Sequence, residues 1–340
     1  MPHRATGWCP CHQSRLDTDD WRPGSRRAAQ HGMQPTAPVI ACALRLMPHV
    51  QAAGSVTPCQ LNPSYGTIEA PEMPAFAEFQ NRIAVLTGGA SGIGLELVLQ
   101  LVRRGAHVAA CDVDRERLEA AVRRARKINP DVRVTEHVHD VSDEKSVIRF
   151  MKEVATEHGT DAIHMLFNNA GVVGGGSFVV GPRDEWERTF AVSWFGTYYC
   201  TRAFLPMLIA ADQGVIVNIS SVNGIWASLG AGSPHTAYSS AKFAIRGFTE
   251  SLLVDLRTHA PHVSAVLVMP GHVRTGMPAP PRSWRRALNS LFADYQPVSS
   301  KQAAEAILGA VSAGDWRVVI GQDAEAIDAR VRADPWSVYK

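Results

Sequence analysis

A tyrosine and a lysine stand four residues apart in the segment Tyr238-Ser239-Ser240-Ala241-Lys242. On a helix, residues at this spacing lie one turn apart on the same face. An ammonium close to a phenol favours the phenolate and would lower the tyrosine pKa from about 10 towards neutral pH. A group poised there can take a proton from an alcohol or return one to a carbonyl oxygen. The alternative is an exposed helical pair with no role, because this spacing is common on helices.

A glycine-rich turn follows the short apolar run 83–86 and precedes a helical pattern. It reads Thr87-Gly88-Gly89-Ala90-Ser91-Gly92-Ile93-Gly94. Glycines let the backbone approach a pyrophosphate, and the N-terminus of the next helix presents free N–H groups and a positive dipole end. The candidate dinucleotide-binding residues are Gly88, Ser91, Gly92, Ile93 and Gly94. Alone, the turn is also compatible with a tight strand-to-helix connection, since its spacing differs from Gly-x-Gly-x-x-Gly.

An acid at the end of the second predicted strand supports the nucleotide hypothesis. Asp112 lies eighteen residues after Gly94, near the offset of about 20 at which an acid binds the adenosine ribose. The 2′-phosphate of NADP would meet a like charge there, at a cost of up to about 4 kcal/mol. Arg115 is the one nearby cation that weakens this argument. The sequence therefore favours NAD as the cofactor.

Short β-branched apolar runs alternate with longer helical patterns from residue 81 onward. The predicted strands are Ile83–Thr87, His107–Cys111, Arg133–His137, Met165–Asn168, Gly214–Ser220, Val263–Met269 and Trp316–Ile320. The predicted helices include Leu95–Arg104, Arg115–Ile128 and Glu144–His158. Strands that are apolar on both faces and separated by helices indicate a parallel sheet covered on both sides. The fold class is therefore α/β, a single doubly wound Rossmann-type domain with a mostly parallel sheet of about seven strands.

The order of several motifs in residues 80–323 resembles the classical short-chain dehydrogenases/reductases. After the glycine turn come an Asp-Val pair, an Asn-Asn-Ala-Gly signature, a serine after a strand, the Tyr-x-x-x-Lys pair and a Pro-Gly-x-Val-x-Thr stretch. These motifs stand here as Asp140-Val141, Asn168-Asn169-Ala170-Gly171, Ser221, Tyr238 with Lys242, and Pro270-Gly271-His272-Val273-Arg274-Thr275. Each motif is weak alone, but six in this order are specific.

The resemblance implies roles for these residues in hydride transfer between NAD(H) and a secondary alcohol or ketone. Tyr238 is expected to act as general acid or base, and Ser221 to hydrogen-bond the same substrate oxygen. Lys242 is also expected to hold the nicotinamide ribose. Contacts to the cofactor are expected from Asp140, Val141, Asn168, Ala170, Gly171, Pro270, Gly271, Val273 and Thr275.

Two departures from the family pattern bear on catalysis. Ser193 stands where the family usually has an asparagine that assists a proton relay, and a hydroxyl offers fewer groups and a shorter reach. Tyr238 stands seventeen positions after Ser221, a few more than usual, with a glycine-rich insertion around 229–234. Ser193 leaves open an alternative function, an NAD(H)-binding regulator of the same fold with little turnover. The other alternative is a different Rossmann-type enzyme. A methyltransferase would have little use for Ser221, Tyr238 and Lys242, and a nucleotide-sugar epimerase would need a larger substrate domain than the 70 or so residues after Pro270.

The first 80 residues differ in composition from the rest of the chain. They contain ten of the 21 prolines and no lysine. We expect residues 1–80 to be a disordered extension, residues 81–323 to be the NAD-binding and catalytic domain, and residues 324–340 to be a C-terminal tail. Translation from Met73 is an alternative account of the extension. The Cys9-Pro10-Cys11-His12 cluster lacks the ligands for a metal site, so no metal is expected.

Charge and composition limit the possible partners. The net charge is +2, with 34 basic and 32 acidic residues, which gives no reason to invoke nucleic acid. No apolar run approaches the 20 or so residues of a membrane span, and six cysteines make no disulfide framework, so we expect a reducing, cytoplasmic setting. The resemblance implies a homodimer or homotetramer formed through the helices near 194–210 and 238–258.

The expected partner of the site is a small-molecule alcohol or carbonyl substrate. Its pocket is predicted from residues 171–178, residues 225–226 and the aromatic-containing segment after Thr275. These aromatic residues favour an apolar substrate, although they could equally pack that segment against the core.

Overall fold

The computed structural model describes residues 74–76, 78–227, 234–275 and 295–336. Within them, a seven-stranded sheet has the order β3-β2-β1-β4-β5-β6-β9, and every neighbouring pair is parallel. Its strands are β1 Ile83–Thr87, β2 His107–Asp112, β3 Val134–Val138, β4 Met165–Asn168, β5 Gly214–Ile219, β6 Val263–Pro270 and β9 Arg317–Ile320. Two short strands, β7 Val273–Arg274 and β8 Val298–Ser299, pair in parallel beside it. The predicted doubly wound fold is confirmed.

Helices cover both faces of this sheet. They are α1 Gly92–Arg103, α2 Arg115–Ile128, α3 Glu144–His158, α4 Arg183–Phe190, α5 Gly196–Ile209, α6 Thr236–His259, α7 Ser300–Ala313 and α8 Gln322–Ala333. Buried side chains of α1 and α7, such as Leu97 and Ile307, form one core layer with β1 and β4. Those of α3, α5 and α6, such as Phe150 and Phe204, form the other. Burial on both faces explains why the strands read as continuous apolar runs.

Local sequence signals set several helix ends. Asp114 begins α2 by accepting a hydrogen bond from the Arg117 amide, and Asp143 accepts two amides at the start of α3. Gly105 follows α1 with a φ of +80°, the left-handed conformation that commonly ends a helix.

The packed region extends beyond both predicted domain boundaries. Phe76 and Phe79, which precede residue 81, are buried in the first core layer. The boundary predicted at residue 323 falls inside α8, whose Ala324 and Ile327 pack in a third apolar cluster. Two isolated aromatics and a short, charge-rich helix show too little periodicity to be recognised in the sequence.

The strand order reverses between β1 and β4, which are neighbours in the sheet although they are far apart in the chain. Ligands of open α/β sheets bind at this switch point, beyond the carboxyl ends of the strands. The turns that follow β1 and β4 are therefore the place to look for a site. Among the described helices, none is long and apolar enough to cross a membrane.

Candidate active site

The glycine turn after β1 adopts a conformation that its glycines make possible. Gly88 and Gly92 have φ values of +69° and +56°, in the left-handed region that side chains disfavour. A Cβ on Gly94 would overlap the carbonyl oxygen of Gly88. The turn leads into α1, whose first turn has no acidic residue and whose N-cap Ser91 makes no side-chain capping bond. The result is a bare backbone cradle at a positive helix end, which suits a pyrophosphate.

The segment after β4 fixes this cradle in place. The Thr87 hydroxyl accepts hydrogen bonds from the Asn169 and Ala170 amides, both at 3.1 Å. The Asn169 side chain donates to the carbonyls of Thr87 and Gly88, at 2.9 and 3.1 Å. Nothing in the motif itself indicates that the Asn169 side chain, rather than that of Asn168, joins the two turns.

Asn168 points away from the cradle. Its side-chain amide donates to the hydroxyl of Thr201 at 3.0 Å and to Asn218 at 2.8 Å, and Asn218 donates in turn to Thr249. All four residues are buried. The predicted cofactor contact of Asn168 is therefore not visible in its geometry, which is that of a polar tie between α5, the sheet and α6.

Asp112 lies at the end of β2 with its carboxylate facing the glycine turn. One oxygen accepts the Ala90 amide at 3.0 Å, and the other accepts the Asp114 amide at 3.1 Å. The carboxylate is half-buried. It holds the turn and remains accessible at the edge where a ribose would lie.

Asp140 and Val141 follow β3. The exposed Asp140 accepts the backbone amide and hydroxyl of Ser142, which makes it a turn residue in this structure. Val141 is buried against Gly196, where a Cβ would lie 2.7 Å from a Val141 methyl carbon. This pair borders the same edge of the sheet as Asp112, since β3 and β2 are neighbours.

Ser221, which follows β5, comes together with Tyr238 and Lys242, which lie in the first two turns of α6. The Ser221 hydroxyl hydrogen-bonds the phenol oxygen of Tyr238. The Lys242 ammonium lies 5.4 Å from the centre of the Tyr238 ring and donates to the Ile219 carbonyl at 2.8 Å. Ser221 and Lys242 are both buried. The sequence prediction that these three groups share one site is therefore matched by their placement.

The pKa of Tyr238 lies above its usual value, whereas the nearby lysine was expected to lower it. Burial raises the pKa of Tyr238 above its usual value, and only the Ser221 hydrogen bond opposes this rise. Burial also lowers the pKa of Lys242 to about 8. The expected lowering of the Tyr238 pKa by Lys242 is not found in this structure, where the Lys242 ammonium donates to the Ile219 carbonyl and desolvation dominates at the phenol.

Ser193 lies in a single π-helical turn, Ala191–Phe195, between α4 and α5. Its hydroxyl is fully buried and donates to the Val172 carbonyl at 3.5 Å. A Cβ on Gly171 would lie 3.5 Å from the Lys242 nitrogen and 3.7 Å from the Ser193 oxygen, so the two groups flank the same small space. Single π-turns of this kind are frequent at functional sites.

A clamp that the sequence analysis missed holds the first turn of α6. The Trp186 indole donates to the Thr236 hydroxyl at 3.1 Å, and the Thr236 and Ala237 amides donate to the carbonyls of Gly176 and Gly175. Gly175 has a φ of +59°, and a Cβ there would lie 2.5 Å from that of Ala237. The run of three glycines at 174–176 was the available signal.

The turn after β6 completes the site. Thr275 lies against the glycine turn, with its Cβ 3.1 Å from where a Cβ on Gly92 would stand. Pro270 ends β6, and Gly271 donates to the Ile320 carbonyl at 2.9 Å. Val273 pairs with Val298 in the short second sheet. The insertion at 229–233 and the aromatic-containing segment 276–294 lie outside the described residues.

A doubly wound sheet with a glycine cradle at its switch point defines a Rossmann-type protein. The Ser-Tyr-Lys cluster beside the cradle is the arrangement expected of a short-chain dehydrogenase/reductase. The family model described as short chain dehydrogenase matches residues 82–286. The chain therefore belongs to the short-chain dehydrogenase/reductase family of oxidoreductases.

Individual relatives agree with this assignment. The chain is 34% identical over 261 residues to SadH of Mycobacterium tuberculosis, a protein named as an oxidoreductase, covering 75% of this chain and 92% of that protein. It is 33% identical over 196 residues to human epidermal retinol dehydrogenase 2, covering 57% of this chain and 61% of that protein. A crystal structure of a Burkholderia phymatum short chain dehydrogenase/reductase in complex with NAD superimposes with a TM-score of 0.65 at 26% identity, covering 75% of this chain and 93% of that one.

Proposed function

We propose that this protein transfers a hydride between NAD(H) and a secondary alcohol or ketone of apolar character. The observation that carries the proposal is the cluster of Ser221, Tyr238 and the buried Lys242, whose ammonium lies 5.4 Å from the centre of the Tyr238 ring. This cluster lies at the carboxyl edge of a sheet whose glycine turn is shaped for a pyrophosphate. A proton donor and a cofactor cradle at one edge are what such a reaction requires.

The residues present fit a nicotinamide dinucleotide. Gly88, Gly92 and Gly94 leave room for a phosphate at the positive end of α1, since side chains there would be strained or would overlap the backbone. Asp112 supplies a carboxylate for the adenosine ribose and disfavours the 2′-phosphate of NADP. Bound NAD would supply or accept the hydride, and that chemistry belongs to the cofactor. The NAD complex of the Burkholderia phymatum relative supports the choice of NAD.

The chain's own residues handle the proton. The Tyr238 phenol is the general acid towards a carbonyl oxygen and, as phenolate, the general base towards an alcohol. Ser221 would hydrogen-bond the same substrate oxygen and so fix its distance from Tyr238. Lys242 would hold the ribose hydroxyls and replace the proton that Tyr238 gives up. Ser193 and Lys242 border the same small space beside Gly171, so a water molecule there would connect Ser193 to that proton transfer.

Apolar side chains support an apolar substrate. Val173 is 42% exposed and Phe178 74% exposed, in the segment that runs from the Asn-Asn-Ala-Gly signature to α4. Val179 and Val180 extend this exposed apolar stretch. A relative named as a retinol dehydrogenase is consistent with the same substrate class.

Assembly as a homodimer or homotetramer, in a reducing cytoplasmic setting, is part of the proposal. Partly exposed apolar side chains of Phe195, Tyr198, Phe243 and Val254 lie on the π-turn, α5 and α6, the helices implicated by family resemblance. Cys111 and Cys200 are free, buried thiols. Analytical ultracentrifugation of the purified chain tests the assembly, and a monomer at micromolar concentration would contradict it.

The test of function is turnover of NADH with a panel of apolar ketones, followed by nicotinamide fluorescence. The proposal predicts NADH-dependent reduction of at least one ketone class, and weaker use of NADPH. NADH binding with no turnover across the panel would instead favour the regulatory alternative. Failure to bind either cofactor would contradict both.

A further inference from the structure

The first turn of α8 contains a buried carboxylate that the motifs above do not explain. Asp323 is 3% exposed and is the second residue of the helix. Its Oδ2 accepts the backbone amide of His272 at 2.6 Å. A hydrogen bond this short to a charged acceptor is among the stronger kinds in proteins.

Two glycines make room for this carboxylate. A Cβ on Gly271 would overlap both carboxylate oxygens, and a Cβ on Gly321 would lie 2.5 Å from Oδ1. Gly321 also has a φ of +104°, which side chains rarely adopt. The β6–β7 turn and the start of α8 therefore fit closely around Asp323 from two directions.

The negative charge of the Asp323 carboxylate is compensated by groups next to it. A buried carboxylate is costly unless it is hydrogen-bonded or compensated by charge. Here the compensation comes from the His272 N–H and from the positive N-terminal end of α8. The helix is itself fixed to the core by Ala324 and Ile327, so the carboxylate is presented from a firm base.

The turn that Asp323 holds is part of the candidate active site. It contains Pro270, Gly271 and His272 and leads to Thr275, which lies against the glycine turn at Gly92. We propose that Asp323 is a positioning residue: it fixes the turn after β6 in the conformation that receives the nicotinamide end of NAD(H). This inference rests on the function proposed above.

A purely structural role for Asp323 makes different predictions from a positioning role. If Asp323 acted only by stabilising α8, then a different substitution that destabilised α8 equally would weaken cofactor binding as much as loss of Asp323 does. Asp328 on the same helix provides the matched comparison. It pairs with Arg317 at 2.6 Å and with Arg332 at 3.0 Å, and none of its contacts described in the structure reaches the turn.

The experiment compares Asp323→Asn, Asp323→Ala and Asp328→Asn with the wild-type chain. Each is measured for thermal stability, for amide hydrogen exchange of the 271–275 segment and for NADH affinity by fluorescence titration. Asp323→Asn preserves size and one acceptor oxygen, so it should raise the NADH Kd by about threefold, and Asp323→Ala by about tenfold or more. Both should speed exchange in the segment. Asp328→Asn should lower the melting temperature and leave the other two readouts unchanged.

Other results would overturn the positioning role of Asp323. Asp323 variants with unchanged exchange, or with faster exchange and wild-type NADH affinity, would overturn the positioning role while leaving the proposed function intact. An equal loss of NADH affinity in Asp328→Asn would also overturn it, because the effect would then follow helix stability. Wild-type protein that binds no NADH would overturn the proposed function and this inference with it.

Discussion

Replacing Asp112 with asparagine separates the charge of this side chain from its shape. The carboxylate accepts the Ala90 amide at 3.0 Å and the Asp114 amide at 3.1 Å. An asparagine oxygen can keep one of these hydrogen bonds, whereas alanine would lose both and loosen the glycine turn. Asp112→Asn is therefore the cleaner test of cofactor choice.

The magnitude follows from the exposure of the carboxylate. Two unit charges about 4 Å apart repel by about 4 kcal/mol at an effective dielectric of 20 and by about 1 kcal/mol in water. Asp112 is half-buried, so we expect about 1–2 kcal/mol against NADPH, or a preference for NADH of about 5- to 30-fold. In Asp112→Asn the NADH Kd should rise by about threefold, through the lost hydrogen bond, and the ratio of the two Kd values should approach one.

The assay is a fluorescence titration of each protein with NADH and with NADPH at fixed, low ionic strength. Asp114→Asn is the control, because Asp114 is a neighbouring acid that caps α2 through the Arg117 amide. This control should keep the wild-type preference. A wild-type chain that binds NADPH as tightly as NADH would contradict the role of Asp112 in cofactor choice, as would an Asp112→Asn preference equal to that of the wild type.

Three further predictions concern the cradle, the proton donor and the buried histidines. Gly94→Ala should weaken NADH binding at least tenfold, because its Cβ would overlap the Gly88 carbonyl. The control is Gly247→Ala, whose Cβ would meet no atom within 4 Å and which should bind NADH normally in the same titration. Because burial raises the pKa of Tyr238, the phenol stays protonated at neutral pH. The steady-state rate of ketone reduction should therefore not change with pH near neutrality, whereas the rate of alcohol oxidation should rise with pH. An oxidation rate that no longer rises above pH 7 would contradict this. Burial lowers the pKa of the His158 imidazole to about 4, below its unfolded value of about 6.5. Its contribution to the free energy of unfolding is therefore complete above a pH of about 6.5 and falls by up to about 3 kcal/mol as the pH falls towards 4. In urea unfolding, His158→Gln should lose less stability in acid than the wild type, and an equal loss would exclude His158 as the source.

The sheet was the most predictable part of this molecule. Seven β-branched apolar runs matched seven strands to within about one residue at each end, because a strand buried on both faces is continuously apolar. The start of α1 was placed at Leu95, three residues late, since Gly92-Ile93-Gly94 looks like a loop until the turn is seen to be part of the helix N-terminus.

The ends of the domain were harder to predict, because their burial depends on tertiary contacts. Phe76 donates its amide to the Val311 carbonyl and packs on α7, which nothing in the local sequence indicates. Helix α8 has a short apolar stripe, and its Asp323 resembles an ordinary surface acid in the sequence. Its contact with His272 joins positions fifty-one residues apart, beyond the reach of any local pattern.

In the candidate site, the order of the motifs indicated which residues lie together but not how their charges and burial shift their pKa values. Ser221, Tyr238 and Lys242 lie in one cluster, as the motifs suggested. The pKa of Tyr238 was predicted in the wrong direction, because burial and the Ile219 carbonyl cannot be read from a spacing of four residues. Asn168 was assigned to the cofactor from its motif, whereas its side chain bonds Thr201 on α5 and Asn218 on the neighbouring strand β5.

We propose that Tyr238 moves the proton in a reaction whose hydride passes to or from a nicotinamide. The most direct test is the Tyr238→Phe variant, which retains the ring and removes only the hydroxyl that Ser221 contacts. NADH titration and ketone turnover should be measured on the same preparation. We predict NADH affinity within about twofold of the wild type and a kcat reduced by at least about a hundredfold. Tyr238→Phe protein that turns over ketones at the wild-type rate would contradict the account.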